Sequence, residues 1–171
     1  MPRAAIVAVN VGHQRTTLAV SDGRLCEFTR VLGWGGSRLA AAIGRELGID
    51  VTDGEEMLTH LSLDEHDDDP GDRDARAREA ARRELHVLSR ELVASLEFYQ
   101  GQPDSLPIAE ILVAGGTTRI PGFVAEVERL TRVRVRVANP LARLDVGKAE
   151  SVTERDDLAS LAVAIGLGVE D

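Results

Sequence analysis

Aromatic side chains are scarce in this sequence, at 3% of 171 residues, so its core must be built mainly from aliphatic side chains. The single cysteine, Cys26, excludes an intrachain disulfide, and this usage suits a reducing compartment. No apolar run approaches the roughly 20 residues of a membrane span. The N-terminal apolar stretch also lacks the cleavage pattern of a secretory signal. We therefore expect any action at a membrane to run through a partner.

Basic residues are also in deficit, because 29 acidic residues against 20 lysines and arginines give a net charge of −9. No basic stripe with interleaved aromatic residues appears, so the sequence does not favour nucleic-acid binding. The apolar fraction of 43% is that of an ordinary globular protein. The length is sufficient for one domain, or for two small lobes that share a core.

The most informative segment is IAEILVAGGTTRIPG, residues 108–122, in which a short apolar run ends in two glycines. A brief polar turn follows, and Pro121 and Gly122 then open an amphipathic stretch. Strand, glycine turn and helix start, in that order, bring bare backbone close to a ligand and direct helix N–H groups towards it. The segment indicates a nucleotide-type pocket.

The N-terminal third predicts a three-stranded meander, because three short apolar or alternating runs are joined by tight turns. The strands are residues 4–11, 16–20 and 25–32, with Asp22-Gly23 as a hairpin signal. Alternation in the third strand places Cys26, Phe28 and Leu32 on one face, and Cys26 is expected to be a small core residue.

Helical periodicity dominates the middle of the chain. Ser37 is expected to cap a helix over residues 38–47, and Thr52 or Asp53 a second one ending near Leu61. An acidic loop follows, and a long helix with an apolar stripe is predicted over residues 73–99. The remaining predicted elements are a strand at 108–114, a helix at 121–130, a strand at 133–137 and a helix at 155–167.

This order predicts an α/β fold with a mixed sheet and helices packed on it. The sheet layer spans residues 1–34 and 105–171, and residues 35–104 form an inserted, mainly helical subdomain. The last strand, helix and strand before the C-terminal region make a βαβ unit.

Five motifs in the same order resemble the PilM family of type IV pilus assembly, an actin-like ATPase branch related to FtsA. They are AVNVGHQRTTLAV, FTRVLGWGGSRLAAAIGRELGI, SLEFYQGQ, IAEILVAGGTTRIPGF and VANPLARL followed by LAVAIGLGV. The resemblance implies one half of an actin-like, ribonuclease H-like fold, namely subdomains IIA and IIB. The half that carries the family's first phosphate loop is not represented.

For the first turn, the resemblance implies that Gly12, His13 and the hydroxyls of Thr16 and Thr17 face the phosphates of a nucleotide. The family's aspartate at this turn is Asn10 here, which has the same shape without the charge. Handling of Mg²⁺ and hydrolysis are therefore expected to suffer, and no catalytic residue is assigned. The alternative is a plain hairpin in which glycine only permits the turn.

For the second turn, Gly115, Gly116 and Thr117 resemble the motif on the adenosine side, and we expect it beside Gly12 at one edge of a common sheet. Glu55 matches the acid that meets the ribose hydroxyls, whereas the family's lysine position falls on Leu58. The alternatives are a tight strand-to-helix turn without a ligand and a pair of solvated glutamates, Glu55 and Glu56.

The histidines lack paired spacing, and HDDD at residues 66–69 fits a solvated loop better than a metal cage, so no metal site is predicted. Trp34 is expected to pack at the start of the helical segment, although an exposed tryptophan there would indicate a partner site.

The resemblance implies a cytoplasmic scaffold that binds ATP with Mg²⁺ in an interdomain cleft and meets the cytoplasmic tail of a PilN-like protein at the inner membrane. For this chain alone we expect weak or absent nucleotide binding and little ATPase activity. We also expect self-association across the wall near Gly12 and Gly115. The alternatives are a nucleotide-free scaffold of pilus or cell-division type and half of a small-molecule kinase of the same fold.

Overall fold

The computed structural model of the chain describes residues 4–64, 69 and 71–139. The predicted helix at 155–167 and residues 65–68 and 70 of the acidic loop, including His66, lie outside these residues. Within them no helix has both the length and the apolar composition required to cross a bilayer.

A five-stranded mixed sheet forms the centre of the fold, with strand order β3-β2-β1-β4-β5. Strands β1 (Ala5–Val11), β2 (Thr16–Ser21) and β3 (Cys26–Leu32) are an antiparallel meander, as predicted. Strands β4 (Ile108–Ala114) and β5 (Val135–Val137) continue the sheet in parallel beyond β1. The predicted mixed α/β architecture is confirmed.

Four α-helices accompany the sheet in the described part of the chain. Three lie between β3 and β4, namely α1 (Gly36–Leu47), α2 (Val51–Leu58) and α3 (Arg73–Gln100). A short 3-10 helix (Gly116–Arg119) and α4 (Phe123–Thr131) connect β4 to β5. Assignment of residues 35–104 to a separate subdomain stays a prediction.

The core lies between one face of the sheet and α3. Alternation along β1 buries Val7, Val9 and Val11, each at most 1% exposed, because successive strand residues point to opposite faces. The apolar stripe predicted for α3 is buried against this layer, at Leu85, Leu88, Leu92, Leu96 and Tyr99. Each buried leucine contributes roughly 1.5–3 kcal/mol of hydrophobic stabilisation. Trp34 is 1% exposed, so the prediction that it packs inside is confirmed.

Tyr99 links the end of α3 to β3 and to the segment that leads into β4. Its hydroxyl donates to the carboxylate of Glu27 on β3 and accepts from the backbone N–H of Leu106 at 3.0 Å. Burial, together with the Glu27 hydrogen bond, raises the pKa of Tyr99.

The prediction for Cys26 is wrong, because the thiol is exposed. Val20 pairs with Phe28, whereas Ser21 pairs with Cys26, so Glu27 is an extra residue at a β-bulge. A bulge breaks the two-residue alternation on which the prediction depended. Phe28 is half-buried and Leu32 buried, as expected.

Both predicted helix caps are also wrong. Ser37 lies inside α1, whose N-cap is Gly35, and the backbone carbonyls of Gly12 and His13 accept from the first helical amides instead. Helix α2 is capped by Asp50, whose carboxylate accepts from the N–H of Asp53 at 2.9 Å, and it ends at Leu58. The start of α1 is thus set by a tertiary contact that local sequence rules do not contain.

Glu110 on β4 and Arg136 on β5 form a two-bond ion pair, with Nε–Oε2 and Nη2–Oε1 distances of 2.8 and 2.5 Å. The guanidinium of Arg136 lowers the pKa of Glu110. A carboxyl group whose pKa is lowered by folding stabilises the fold at pH values above its pKa in the unfolded chain, about 4.3. This stabilisation is lost as the pH falls through its pKa in the folded chain.

We therefore expect Glu110→Gln to lower the free energy of unfolding at neutral pH. The difference from the unsubstituted chain should shrink as the pH falls below the unfolded pKa, about 4.3, and vanish once the pH is below the lowered pKa of Glu110 in the folded chain. Urea unfolding at stepwise pH measures this, with Glu79→Gln on the exposed face of α3 as the matched control. A difference that is unchanged in acid would contradict the assignment.

Candidate functional site

Two glycine turns meet at one edge of the sheet. In the parallel pair β1 and β4, Asn10 lies opposite Ala114, so both strands end together and turn at Gly12 and Gly115. A Cβ atom on Gly115 would lie 2.2 Å from the carbonyl oxygen of Val11, and its φ is +103°. Only glycine fits this backbone and this distance. The expected adjacency of the two turns is confirmed.

The first turn of α1 lies against both glycine turns. The amides of Gly36 and Ser37 donate to the carbonyls of Gly12 and His13 at 3.0 and 2.8 Å. A Cβ atom on Gly35 would lie 2.4 Å from the carbonyl oxygen of His13, and one on Gly36 would lie 2.7 Å from Oγ1 of Thr117. The paired glycines thus allow three backbone segments to converge.

Helix α2 brings an acidic side chain to the same place. Gly54 is buried where a Cβ atom would lie 2.4 Å from the carbonyl oxygen of Ala40, so α2 packs closely on α1. The next residue, Glu55, places Oε1 3.8 Å from Nε2 of His13. Both side chains are about half exposed or more, at 47% and 64%.

Together these elements enclose a cleft of ≈ 620 Å³. The site residues predicted from the sequence that line it are Asn10, Gly12, His13, Glu55, Gly115, Gly116 and Thr117. Further lining residues are Val11, Gly36, Leu58, Thr59, Arg119, Ile120 and Pro121. Its size is that of a small-molecule site.

The paired threonines do not act together. Thr16 and Thr17 are successive residues of β2, so their side chains point to opposite faces of the sheet. Thr16 is fully buried, and its hydroxyl donates to the carbonyl of Trp34 at 2.8 Å. Thr17 is exposed and lies opposite Asn10 across β1 and β2. Thr16 thus orients the start of the helical segment, and neither threonine lines the cleft within the described residues.

Sequence reasoning missed Arg119, Ile120 and Pro121, which follow the second turn, and Thr59 at the end of α2. Arg119, Ile120 and Pro121 lie in the motif GGTTRIPG, of which only the two glycines and the first threonine are predicted to be site residues. Thr118 is buried, and its hydroxyl donates to the carbonyl of Gly115 at 2.8 Å, which fixes the course of the turn. The residues after it are thereby directed along the wall of the cleft.

The sheet order and the two-turn cleft define a protein of the actin-like ATPase fold. The chain is similar to a solved structure of a PilM-PilN type IV pilus biogenesis complex, with a TM-score of 0.79. The sequence identity is 26%, and the match covers 99% of this chain and 47% of the other. The chain belongs to the family of type IV pilus assembly protein PilM, whose model matches residues 2–171.

More distant structures share the fold alone. MreB5 of Spiroplasma citri bound to ADP has a TM-score of 0.70 and 13% identity over 97% of this chain and 53% of that one. Ta0583, an archaeal actin homolog, has a TM-score of 0.57 and 17% identity over 97% of this chain and 46% of that one. The chain therefore spans about half the length of the solved structures that it matches.

Alanine substitutions distinguish the roles of Gly115 and Gly116 in the second turn. Gly115→Ala should destabilise the fold by about 2–4 kcal/mol and abolish the cleft geometry, because both the positive φ and the Val11 carbonyl exclude a Cβ atom. Gly116→Ala is the matched control, since no atom lies within 4 Å of its Cβ position. Thermal unfolding of both variants measures the difference. Equal losses would show that the close approach to Val11 is not a constraint.

Proposed function

We propose that this chain forms one wall of an ATP site in a PilM-type assembly protein, and that this protein is a cytoplasmic scaffold of the type IV pilus machinery. The observation that carries the proposal is the meeting of the Gly12 and Gly115 turns at a cleft large enough for a nucleotide. Backbone without Cβ atoms at a sheet edge allows a phosphate-containing ligand to approach closely.

The partner proposed is the cytoplasmic tail of a PilN-like membrane protein. Support comes from the family match over residues 2–171 and from the 26% identity to a chain of a PilM-PilN type IV pilus biogenesis complex. Such a partner would hold the protein at the inner membrane.

The site favours binding over hydrolysis. Asn10 lines the cleft at the end of β1, where it offers an amide in place of the carboxylate expected from the family resemblance. A neutral amide attracts hydrated Mg²⁺ far less than a carboxylate does. Leu58 likewise supplies no positive charge to the cleft.

Addition of millimolar ATP should shift the backbone amide signals of Gly12, Gly115 and Gly116 in the isolated chain. Gly101, at the distant end of α3, is the internal reference and should not move. Two-dimensional NMR of the labelled chain measures the shifts. Unmoved signals at Gly12, Gly115 and Gly116, at ATP concentrations up to solubility, would overturn the nucleotide-binding proposal.

Phosphate release by the isolated chain should be indistinguishable from that of buffer, with or without Mg²⁺, because the carboxylate is missing at residue 10. In Asn10→Asp, Mg²⁺ should tighten ATP binding by about tenfold relative to the same variant in EDTA. Calorimetric titration in Mg²⁺ and in EDTA measures this. Magnesium-dependent turnover by the unsubstituted chain would refute the binding-only assignment.

One observation favours the second candidate, a nucleotide-free scaffold. His13 and Glu55, which both line the cleft, place Nε2 and Oε1 3.8 Å apart, so these two side chains contact each other without a ligand. A scaffold of that kind would bind a PilN-like tail peptide, whereas its glycine amide signals would not shift when ATP is added. This result would distinguish it from the first candidate.

A further inference from the structure

Strand β3 forms one outer edge of the sheet. The strand order places it at the end of the sheet, with β2 on one side and no strand of the described residues on the other. Its seven residues contain no proline and no lysine, the two residue types that commonly protect such an edge. An unprotected edge presents backbone donors and acceptors with which a further strand can pair.

Exposed apolar side chains concentrate at this edge. The three most exposed large apolar side chains of the described residues are Leu25, Phe98 and Val31, at 72%, 61% and 59%. Leu25 directly precedes β3, and Val31 lies within it. On α3, the ring of Phe98 contacts that of Phe28 with centroids 5.7 Å apart. A cluster of this kind indicates an interaction surface, whereas single exposed apolar residues need no explanation.

The charged side chains of β3 are engaged within the chain. The carboxylate of Glu27 accepts from the hydroxyl of Tyr99. Arg30 forms an ion pair with Glu91, in which Nη2 and Oε2 are 3.7 Å apart. Both partners lie on α3, so both charges are drawn towards this helix. These charges therefore give the edge little protection against a second strand.

The β-bulge at Glu27 leaves most of the strand regular. Residues 28–32 pair in turn with residues 20–16 of β2, without a break in register. A bulge protects an edge where it twists that edge away, and this bulge lies at the start of β3. The five regular residues match the usual length of a strand in globular proteins.

We propose that two copies of this chain associate through their β3 edges, which pair antiparallel about a two-fold axis perpendicular to the sheet and join the two sheets into one. The axis makes the same exposed edge serve on both copies, so each edge covers the other. This surface differs from the wall near Gly12 and Gly115, at which the sequence predicts self-association. The inference does not depend on nucleotide binding.

Side-chain chemistry selects the register of this pairing. With Thr29 on the axis, Phe28 of each copy lies opposite Arg30 of the other, where a guanidinium can stack on the ring. An axis at Arg30 would place two guanidinium groups directly opposite each other, which is destabilising. An axis at Phe28 would move the pairing onto the bulge. Thr29 therefore lies at the centre of the contact.

The first test is Thr29→Lys, because the exposed Thr29 meets the same residue of the second copy on the axis. Two lysines directly opposite each other repel, so the Kd of the dimer should rise by about tenfold or more. Sedimentation equilibrium of the chain over a range of concentrations measures this Kd.

Thr17→Lys is the matched control for that variant. Thr17 is also an exposed threonine, and it lies on the same sheet face in the neighbouring strand β2, one strand away from the edge. Its substitution should change the Kd by less than about threefold. Thermal unfolding of both variants checks that each retains the fold.

A second test does not depend on the folding of the lysine variant. In the double variant Cys26→Ser and Thr29→Cys, the two introduced thiols lie opposite each other across the axis. Antiparallel neighbours have Cα atoms about 4.5–5.5 Å apart, a separation that a disulfide spans. Mild oxidation should therefore produce a covalent dimer on a non-reducing gel.

The unsubstituted chain is the control for this crosslink, because its thiol at Cys26 is exposed. Cys26 lies three residues from the axis, so the two natural thiols are about 20 Å apart in the dimer. The unsubstituted chain should remain monomeric on the same gel.

A chain that sediments as a monomer at the highest concentration reached would overturn the inference, as would association that continues beyond two copies. Equal weakening by Thr17→Lys and Thr29→Lys would place the contact away from the edge. A covalent dimer through Cys26, or none through residue 29, would contradict the antiparallel pairing about Thr29. Each of these results would leave the proposed function standing, since none of them measures the cleft.

Discussion

The close approach of Gly115 to the carbonyl of Val11 is the constraint on which the cleft depends. Strands β1 and β4 are parallel neighbours that end at the same level, so the turns that follow them lie directly side by side. A side chain at residue 115 would begin only 2.2 Å from the carbonyl oxygen of Val11, which leaves no room for it. Because residue 115 carries no side chain, the backbone of this turn itself lines the cleft.

Helix α1 makes this arrangement rigid. Its first amides donate to the carbonyls of Gly12 and His13, so the helix start is held by the turn, and the turn is held by the helix. Gly54 then lets α2 approach α1, which places Glu55 and Leu58 along the cleft. The residues that α2 contributes to the cleft thus owe their position to a close helix contact at a glycine.

Much of the fold could be predicted from sequence because the spacing of apolar residues along a strand or helix indicates which of its faces is buried. The β4 strand and the apolar stripe of α3 were predicted residue by residue, since each packs on the core in a regular pattern. Two failures came where strand pairing or a tertiary contact overrode local rules. A bulge at Glu27 exposed Cys26, and the Gly12 turn took over the capping that Ser37 was expected to provide. Within the site, glycine turns were visible in the sequence, whereas Ile120 and Pro121 acquired their place only from the course of the chain after Thr118.

The parallel register of β1 and β4 has a consequence for assembly of the fold itself. A slip of one residue would bring a residue with a Cβ atom, Ala114, to the level of the Val11 carbonyl, and the two turns would no longer coincide. Only correctly paired molecules then possess a cleft. A ligand that occupies the cleft stabilises those molecules by mass action, so ligand binding favours the strand pairing that creates the site.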